Sequence, residues 1–440
     1  MITALQLLLS LSILVVLHEL GHFSAAKWFK TKVEKFYLFF NPGFALFKKQ
    51  IGETEYGIGW LPLGGYVKIA GMIDESFDTE QMKQPPQPWE FRSKPAWQRL
   101  IIMAGGVFVN FVLGIVLFTM ILMVWGETYI DPDSVKDGVA VTELGQQLGL
   151  RDGDKIIKVG DTPFDKFNGG LIVRELVINQ TRQIEVVRNG SSLTVDVPEA
   201  AALSLTKHEN SKDRIITPRM PYEIGKVNPD SPGERAGIQV GDKIIAVNSE
   251  PTQYLHTIVK AFAAIEGDDV NITVQRGQAT HDLSVTREEG RIGIETYDFN
   301  RYYSEKRQSY SFGEAIPAGW SKSTGFITDQ VKAFGQMFRG KIKAKDGLGS
   351  FITIGKMFGP TWDWERFWRM TASLSLLLAF INLLPIPALD GGYIMFLIYE
   401  SITGKKIPEK AMEILTMIGF IFLMALMVFA LYNDVSKHFF

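Results

Sequence analysis

The sequence HELGH occupies residues 18–22 and directly follows the apolar run LLLSLSILVVL at residues 7–17. Residues four apart lie on one face of an α-helix, so the imidazoles of His18 and His22 can bind one metal ion while Glu19 reaches a water molecule beside it. Ionisable residues are costly inside a membrane span and usually mark function there. The stretch therefore predicts a membrane helix that carries a metal site.

Four apolar stretches reach the roughly 20 residues that a bilayer requires. They run from Ile2 to about Phe29, from Trp97 to Trp125, from Trp368 to about Leu389 and from Ala411 to Tyr432. Trp and Tyr at their ends are typical of membrane interfaces. We expect a polytopic α-helical membrane protein with four transmembrane helices. The first stretch lacks a basic start and a small-x-small cleavage site, so we expect it to be retained rather than removed as a signal peptide.

Cations are concentrated in the loop formed by residues 27–99 and in the short loop with Lys405, Lys406 and Lys410. The positive-inside rule places both loops in the cytoplasm, and the region from Gly126 to Arg366 outside. The net charge of −2 gives no reason to expect a nucleic-acid partner.

A hydrolytic zinc site usually has three protein ligands and a fourth position for water. Without cysteine in the chain, the third ligand must be another His, Asp or Glu, and Asp390 in NLLPIPALDGG (382–392) is the best candidate. His18 lies about 16 residues, or roughly 24 Å, into the first span, and Asp390 lies about 20 residues into the third. Both spans run inward, so the ligands can meet near the cytoplasmic side. Pro385 and Pro387 are expected to break the helix where it lines a polar cavity.

The segment EYGIGWLPLGGYVKIA, from Glu55 to Ala70, has aromatic and branched residues on both sides of Pro62 and the Gly64–Gly65 pair. This pattern predicts a β-hairpin. Because the segment is apolar for a cytoplasmic loop, we expect a membrane-associated hairpin near the opening of the active site.

An internal repeat fills the outer region. GLRDGDKIIKV at 149–159 matches GIQVGDKIIAV at 237–247, and IEVVRNG at 184–190 matches ITVQRG at 272–277. The repeat predicts two tandem modules that are mainly β, and SPGERAG at 231–237 resembles PDZ domains of bacterial proteases. The expected division is an N-terminal membrane part (1–125), two external PDZ-like α+β domains (126–215 and 216–300), an external amphipathic helical linker (301–366) and a C-terminal membrane part (367–440).

HELGH, LPLGGYVKIAG, the paired modules and NLLPIPALDGG together resemble the site-2 protease family of intramembrane zinc metalloproteases over nearly the whole chain. The resemblance implies that His18, His22 and Asp390 bind Zn²⁺, that Glu19 is the catalytic general base and that Asn382 helps to hold the substrate backbone. Two departures are visible: Tyr393 follows Gly392 where the family often has His, and AGGVFVN at 104–110 replaces AGP-x-x-N.

The expected reaction is hydrolysis of a peptide bond inside a transmembrane segment. Such a helix must unwind locally, and we expect the hairpin around Gly64 and Gly65 to bind the exposed strand by β-addition. The resemblance implies substrates among single-pass membrane proteins, such as anti-sigma factors or signal-peptide remnants, in the lipid of the bacterial inner membrane. The PDZ-like domains, expected on the periplasmic side, are predicted to filter these substrates.

Two alternatives belong to other classes: a PDZ-type membrane scaffold with an inactive metal site, and a metal transporter with a transit site at the three ligands. Neither needs a base, so Glu19 favours the protease.

Overall fold

The computed structural model describes residues 1–62, 64–72, 84–207, 210, 214–347 and 349–439. The chain divides into two compact units, which we call the helical unit (Met1–Gly126 and Ser309–Phe440) and the inserted unit (Glu127–Gln308). The elements of the helical unit are α1 (Ile2–Trp28), β1 (Val33–Leu38), β2 (Phe40–Ile51), β3 (Thr54–Leu61), β4 (Tyr66–Ile69), α2 (Ala96–Val124), α8 (Phe312–Phe338), α9 (Ala344–Gly347), α10 (Phe351–Met357), α11 (Trp364–Leu383), α12 (Asp390–Thr403) and α13 (Glu409–Phe439).

The inserted unit is rich in short strands. Its elements are β5 (Glu127–Ile130), β6 (Val139–Val141), α3 (Glu143–Gln147), β7 (Lys155–Val159), β8 (Thr162–Pro163), α4 (Gly169–Val173), β9 (Gln183–Arg188), β10 (Ser191–Asp196), α5 (Glu199–Ser204), β11 (Ile216–Pro218), β12 (Ile224–Val227), α6 (Pro232–Arg235), β13 (Lys243–Val247), β14 (Glu250–Pro251), α7 (Leu255–Ala263), β15 (Asp269–Arg276), β16 (Ala279–Thr286), β17 (Ile294–Thr296) and β18 (Glu305–Gln308).

Three helices of the described residues are long and apolar enough to cross a bilayer: α1, α2 and the Lys410–Ser436 part of α13. They correspond to the first, second and fourth predicted spans. The third predicted span corresponds to α11, which ends at Leu383 instead of Leu389. Its first turns carry Glu365, Arg366 and Arg369, which lower its apolar character.

Helices α1 and α2 approach each other closely where two glycines face one another. A Cβ atom on Gly21 would lie 2.3 Å from the carbonyl oxygen of Gly105, and one on Gly105 would lie 2.6 Å from the carbonyl oxygen of Gly21. Only residues without a side chain permit this separation. The contact brings the HELGH turn of α1 against the backbone of α2.

The predicted β-hairpin from Glu55 to Ala70 is wrong in its pairing. The segment does contain two strands, β3 and β4, but they are not neighbours in the four-stranded sheet, whose order is β2-β3-β1-β4. Strand β1 lies between them, parallel to β3 and antiparallel to β4. The hairpin of this sheet is instead β2–β3. Leu63, inside the predicted turn, lies outside the described residues.

The inserted unit contains the sequence repeat as a repeated set of strands. One four-stranded sheet has the order β10-β9-β7-β8 and the other the order β14-β13-β15-β16. Each copy also has a two-stranded sheet, β6–β11 in the first and β12–β17 in the second.

The same ion pair recurs in both copies. Arg188 binds Asp154 and the carbonyl oxygen of Gly149, and Arg276 binds Asp242 and the carbonyl oxygen of Gly237. Both aspartates are fully buried. A buried carboxylate requires such a partner, so the pair explains the repeated Gly-Asp turn.

The two ends of the inserted unit pair with each other. Strand β5, its first, is antiparallel to β18, its last, with Glu127 opposite Gln308. Lys166 Nζ donates to Glu127 Oε2 at 2.5 Å and to Gln308 Oε1 at 3.1 Å. Lys306 Nζ forms an ion pair with Asp131 Oδ2 at 2.6 Å. A two-stranded ribbon therefore closes this unit.

Helix α8, part of the segment expected to be an external linker, packs along α2 and α11. Trp320 contacts the ring of Phe111 on α2, and Phe334 contacts Phe380 on α11. A Cβ atom on Gly319 would lie 2.3 Å from Thr119 Oγ1. The helical segment predicted from the sequence thus covers the flank of the helical unit.

Candidate metal centre

The NLLPIPALDGG segment forms a sharp loop that presents Asp390. Helix α11 ends at Leu383, the two prolines follow in non-helical backbone, and Asp390 is the first residue of α12. The loop folds tightly back on α12: a Cβ atom on Gly391 would lie 2.2 Å from Leu384 O, and one on Gly392 would lie 2.6 Å from Ile386 O. The paired glycines after Asp390 are therefore required by the loop.

Three side chains from α1 and α12 converge on one point. His18 Nε2 lies 3.3 Å from Asp390 Oδ2 and 3.3 Å from His22 Nε2, and His22 Nε2 lies 3.4 Å from Asp390 Oδ2. His22 is buried and the other two are largely so, with side-chain exposures of 12% for His18 and 14% for Asp390. The structure thus brings together the three residues that were predicted from the sequence as ligands.

The triangle has the size that a zinc ion needs. Zn²⁺ binds imidazole nitrogen and carboxylate oxygen at about 2.0–2.1 Å in tetrahedral geometry, which gives edges of roughly 3.3–3.4 Å between ligand atoms. The three distances between the ligand atoms match these edges. Asp390 Oδ2 is buried and receives no hydrogen bond from any residue that the structure describes. An ionised oxygen in that position needs a cation, and the two imidazoles and one carboxylate are a typical catalytic set.

The histidine rings are held from α2. His22 Nδ1 lies 2.8 Å from the carbonyl oxygen of Ile102. A carbonyl can only accept, so Nδ1 carries the proton and Nε2 keeps its lone pair. A Cβ atom on Gly106 of the same helix would lie only 2.4 Å from His22 Nε2 and 2.6 Å from His18 Cε1.

Glu19 is the neighbour of His18 on α1 and is partly buried. Its carboxylate lies near the backbone of Val67 on β4. Among the residues that the structure describes, β4 is the last strand of its sheet, so the strand beside Glu19 lies at a sheet edge in that part of the chain.

Asn382 lies at the end of α11, with Nδ2 3.3 Å from His18 Nε2. Gly65 lies against α1, since a Cβ atom there would meet Val15 Cγ1 at 2.8 Å. Gly64 has a φ of +144°, and a Cβ atom there would lie 3.1 Å from the ring of Phe40. Asn382 therefore lies beside the three candidate ligands. Gly65 packs against α1 at Val15, one helical turn before Glu19.

Three participants were not identified from the sequence: the carbonyl of Ile102, the backbone of Val67 and the side chain of Asn110. Asn110 is fully buried on α2, with Nδ2 3.2 Å from His18 Nδ1. The signal was available, because an Asn in the middle of a mostly apolar span is costly and usually marks function there. The two backbone groups cannot be identified from the sequence, because every residue has a backbone and its type does not show which backbone group is used.

Comparison with known proteins gives the same class. The model of peptidase family M50 matches residues 6–426. Regulator of sigma-E protease RseP of Escherichia coli is 29% identical over 453 residues, which cover 98% of this chain and 97% of that protein. Regulator of sigma E protease of Haemophilus influenzae is 26% identical over 448 residues, 97% of each chain. A relative from Neisseria meningitidis, 28% identical over 461 residues and 99% of each chain, is named as a zinc metalloprotease.

These matches define a membrane-associated class of metallopeptidase. The chain belongs to peptidase family M50, the site-2 protease family, and the predictions of that family and of a zinc metalloprotease are confirmed.

Proposed function

We propose that this protease is an intramembrane endopeptidase that cleaves transmembrane segments of single-pass membrane proteins. The observation that carries the proposal is the position of the His18–His22–Asp390 cluster: its two histidines lie on α1, a candidate membrane span, which packs against α2, a second candidate span. His18, His22 and Asp390 would hold the zinc ion, and Glu19 would act as the general base. The architecture proposed is four spans, with α11 as the third.

The chemistry follows from the residues around the cluster. When bound, zinc would polarise the scissile carbonyl and lower the pKa of a water molecule. Glu19 would take a proton from the attacking water at its carboxylate and return it to the leaving amide nitrogen. The backbone of Val67 lies beside this carboxylate and would help to orient it. Asn382, at 3.3 Å from His18 Nε2, would hold the substrate backbone beside the cluster.

Substrate binding would use the edge strand β4 together with Gly64 and Gly65. A transmembrane helix must unwind before its peptide bond can be attacked, and this exposes backbone donors and acceptors that lipid cannot satisfy. An extended substrate segment added alongside β4 would satisfy them. The hairpin of the sequence-based hypothesis is thus replaced in this proposal by an edge strand.

The decisive experiment separates catalysis from metal binding. Glu19→Gln removes the base without removing a ligand, so we expect cleavage of a single-pass model substrate in proteoliposomes to fall by about 10²–10⁴-fold while one zinc per chain remains. Asp390→Ala should lose both. Glu295→Gln, which changes an exposed carboxylate of the inserted unit, is the matched control.

Metal analysis of the purified proteins can contradict the proposal in two ways. A Glu19→Gln protein without zinc would make Glu19 a ligand and refute its role as base. A wild-type protein that binds zinc and cleaves no membrane substrate would favour the scaffold alternative.

The substrates proposed are anti-sigma factors or similar membrane regulators, with signal-peptide remnants as a second group. Support comes from the relatives named as regulators of sigma E. The inserted unit would act as two PDZ-like domains that exclude substrates with bulky external domains. Replacing residues 127–308 with a short linker should then permit cleavage of untrimmed substrates. Continued rejection by a zinc-loaded variant would refute this filter.

We place the protein in the bacterial inner membrane, with the inserted unit on the periplasmic side and the metal centre near the cytoplasmic side. The support is the distribution of Lys and Arg among the loops, because cytoplasmic loops carry an excess of these residues.

A further inference from the structure

Asn110 has an environment that the proposed reaction does not yet explain. It lies in the middle of α2, in a helix whose other buried residues are mostly apolar. Its side chain is fully buried and reaches across to α1, where it contacts His18 Nδ1 at 3.2 Å. Its backbone carbonyl oxygen, not the side-chain oxygen, accepts a hydrogen bond from Ser375 Oγ on α11 at 2.7 Å. A buried side-chain carboxamide needs a hydrogen-bond partner, and the partner that the structure gives it is the imidazole of His18.

The direction of the hydrogen bond decides what Asn110 does. The oxygen and nitrogen of a carboxamide have the same shape, so the surrounding donors and acceptors determine which one faces His18. If Nδ2 faces His18, it donates to Nδ1 and the neutral ring carries its proton on Nε2. That nitrogen is the one that points at His22 and Asp390. A protonated Nε2 cannot bind a metal ion.

The opposite direction removes this conflict. With Oδ1 towards the ring, Asn110 accepts the proton of Nδ1, and Nε2 keeps its lone pair. With Nδ2 towards the ring, Oδ1 is buried without a donor among the residues that the structure describes. Rotating the carboxamide by half a turn places Oδ1 beside the Nδ1 proton of His18 and so gives this oxygen a donor. His22 is already held in the same manner by the carbonyl of Ile102. Metal-ligating histidines usually donate their second ring N–H to such an acceptor.

We propose that Asn110 is a positioning residue that accepts a hydrogen bond from His18 Nδ1 and thereby fixes the ring in the tautomer that binds zinc. The inference rests on the proposed zinc site. Both histidines would then be oriented from α2, one by a backbone carbonyl and the other by a side chain. Loss of an outer-shell partner of this kind typically lowers metal affinity by about 10–100-fold.

The test compares two substitutions of similar size. Asn110→Leu removes the acceptor, and we expect the zinc dissociation constant, measured in detergent by competition with a chromophoric chelator, to rise by about 10–100-fold. Asn110→Asp keeps an acceptor and, when ionised, cannot donate, so it should retain the wild-type affinity. Ser375→Ala removes the neighbouring buried hydrogen bond without touching the ring, and it should leave the affinity unchanged.

Each outcome supports or overturns the proposal. An Asn110→Leu protein with wild-type zinc affinity would overturn it. Equal weakening by Leu and Asp would mean that the amide donates to His18 or only packs, which also overturns it. Should the leucine protein not fold, the aspartate variant still distinguishes acceptor from donor.

A further variant separates this result from failure of the site itself. His18→Ala should lose zinc binding altogether. If it binds zinc normally, the proposed ligand set is wrong, whatever Asn110 does.

Discussion

Gly106→Ala is the smallest change expected to disrupt the metal centre. The added methyl carbon would lie 2.4 Å from His22 Nε2 and 2.8 Å from His18 Nδ1, whereas unstrained heavy atoms stay about 3.5 Å apart. The overlap of about 1 Å must be relieved by moving the rings or the backbone of α2. Metal ligands tolerate displacements of only about 0.2 Å. The substitution should therefore act on zinc binding directly.

The size of the effect follows from the cost of overpacking. Forcing one extra methyl group into a packed interior costs about 1–3 kcal/mol, which corresponds to a loss of roughly 5–150-fold in zinc affinity if the bound geometry bears the whole cost. Competition titration of the detergent-solubilised protein measures it. Gly114→Ala on the same helix is the control for overpacking alone, because its Cβ would lie 2.4 Å from Leu376 Cδ2 and 2.6 Å from Leu376 Cγ and would touch none of the three proposed ligands. Wild-type zinc affinity in Gly106→Ala would refute the geometry of the centre.

Two further predictions concern the inserted unit and the topology. Burial by itself would raise the pKa of Asp242, but the hydrogen bonds from Arg276 lower it below its usual value, so the pair stabilises the unit above about pH 4 and loses this contribution as pH falls through the lowered pKa. Arg276→Met should lower the free energy of unfolding of this unit by about 1–3 kcal/mol in urea at pH 7. Lys226→Met, which removes the exposed ion pair with Glu295, should change that free energy little. Equal effects of the two substitutions would contradict the role of burial. A Cys replacing Lys405 should react with an impermeant maleimide only from the cytoplasm, and one replacing Gln278 only from outside; the reverse pattern would invert the proposed topology.

The clustering of His18, His22 and Asp390 could be predicted from sequence because its information is local. His18 and His22 share a helix face by spacing alone, and the prolines and glycines around Asp390 mark the loop that presents it. Helix α11 was predicted too long, since apolar composition continues past Leu383 while the backbone turns at Pro385.

The sheet beside the site could not be predicted in the same way. Alternation within Glu55–Ala70 identifies strands, but it does not say that residues 33–38 insert between them, because strand order depends on distant segments. Asn110 presents a similar limit. Its polarity is conspicuous within α2, yet its partner His18 is on another helix, and only the fold shows which ring nitrogen it faces.

The β5–β18 ribbon affects the order in which the chain can fold. Helices α2 and α8 are separated by roughly 180 residues, and closing so long a loop costs more entropy than closing a short one, by about 0.6 kcal/mol for each doubling of its length. Once the inserted unit has folded, Glu127 and Gln308 are already paired, and the effective loop shrinks to a few residues. About five doublings, or roughly 3 kcal/mol, are thereby removed from the docking of α8 on α2. A unit that contains none of the three proposed zinc ligands can thus assist the assembly of the unit that contains them.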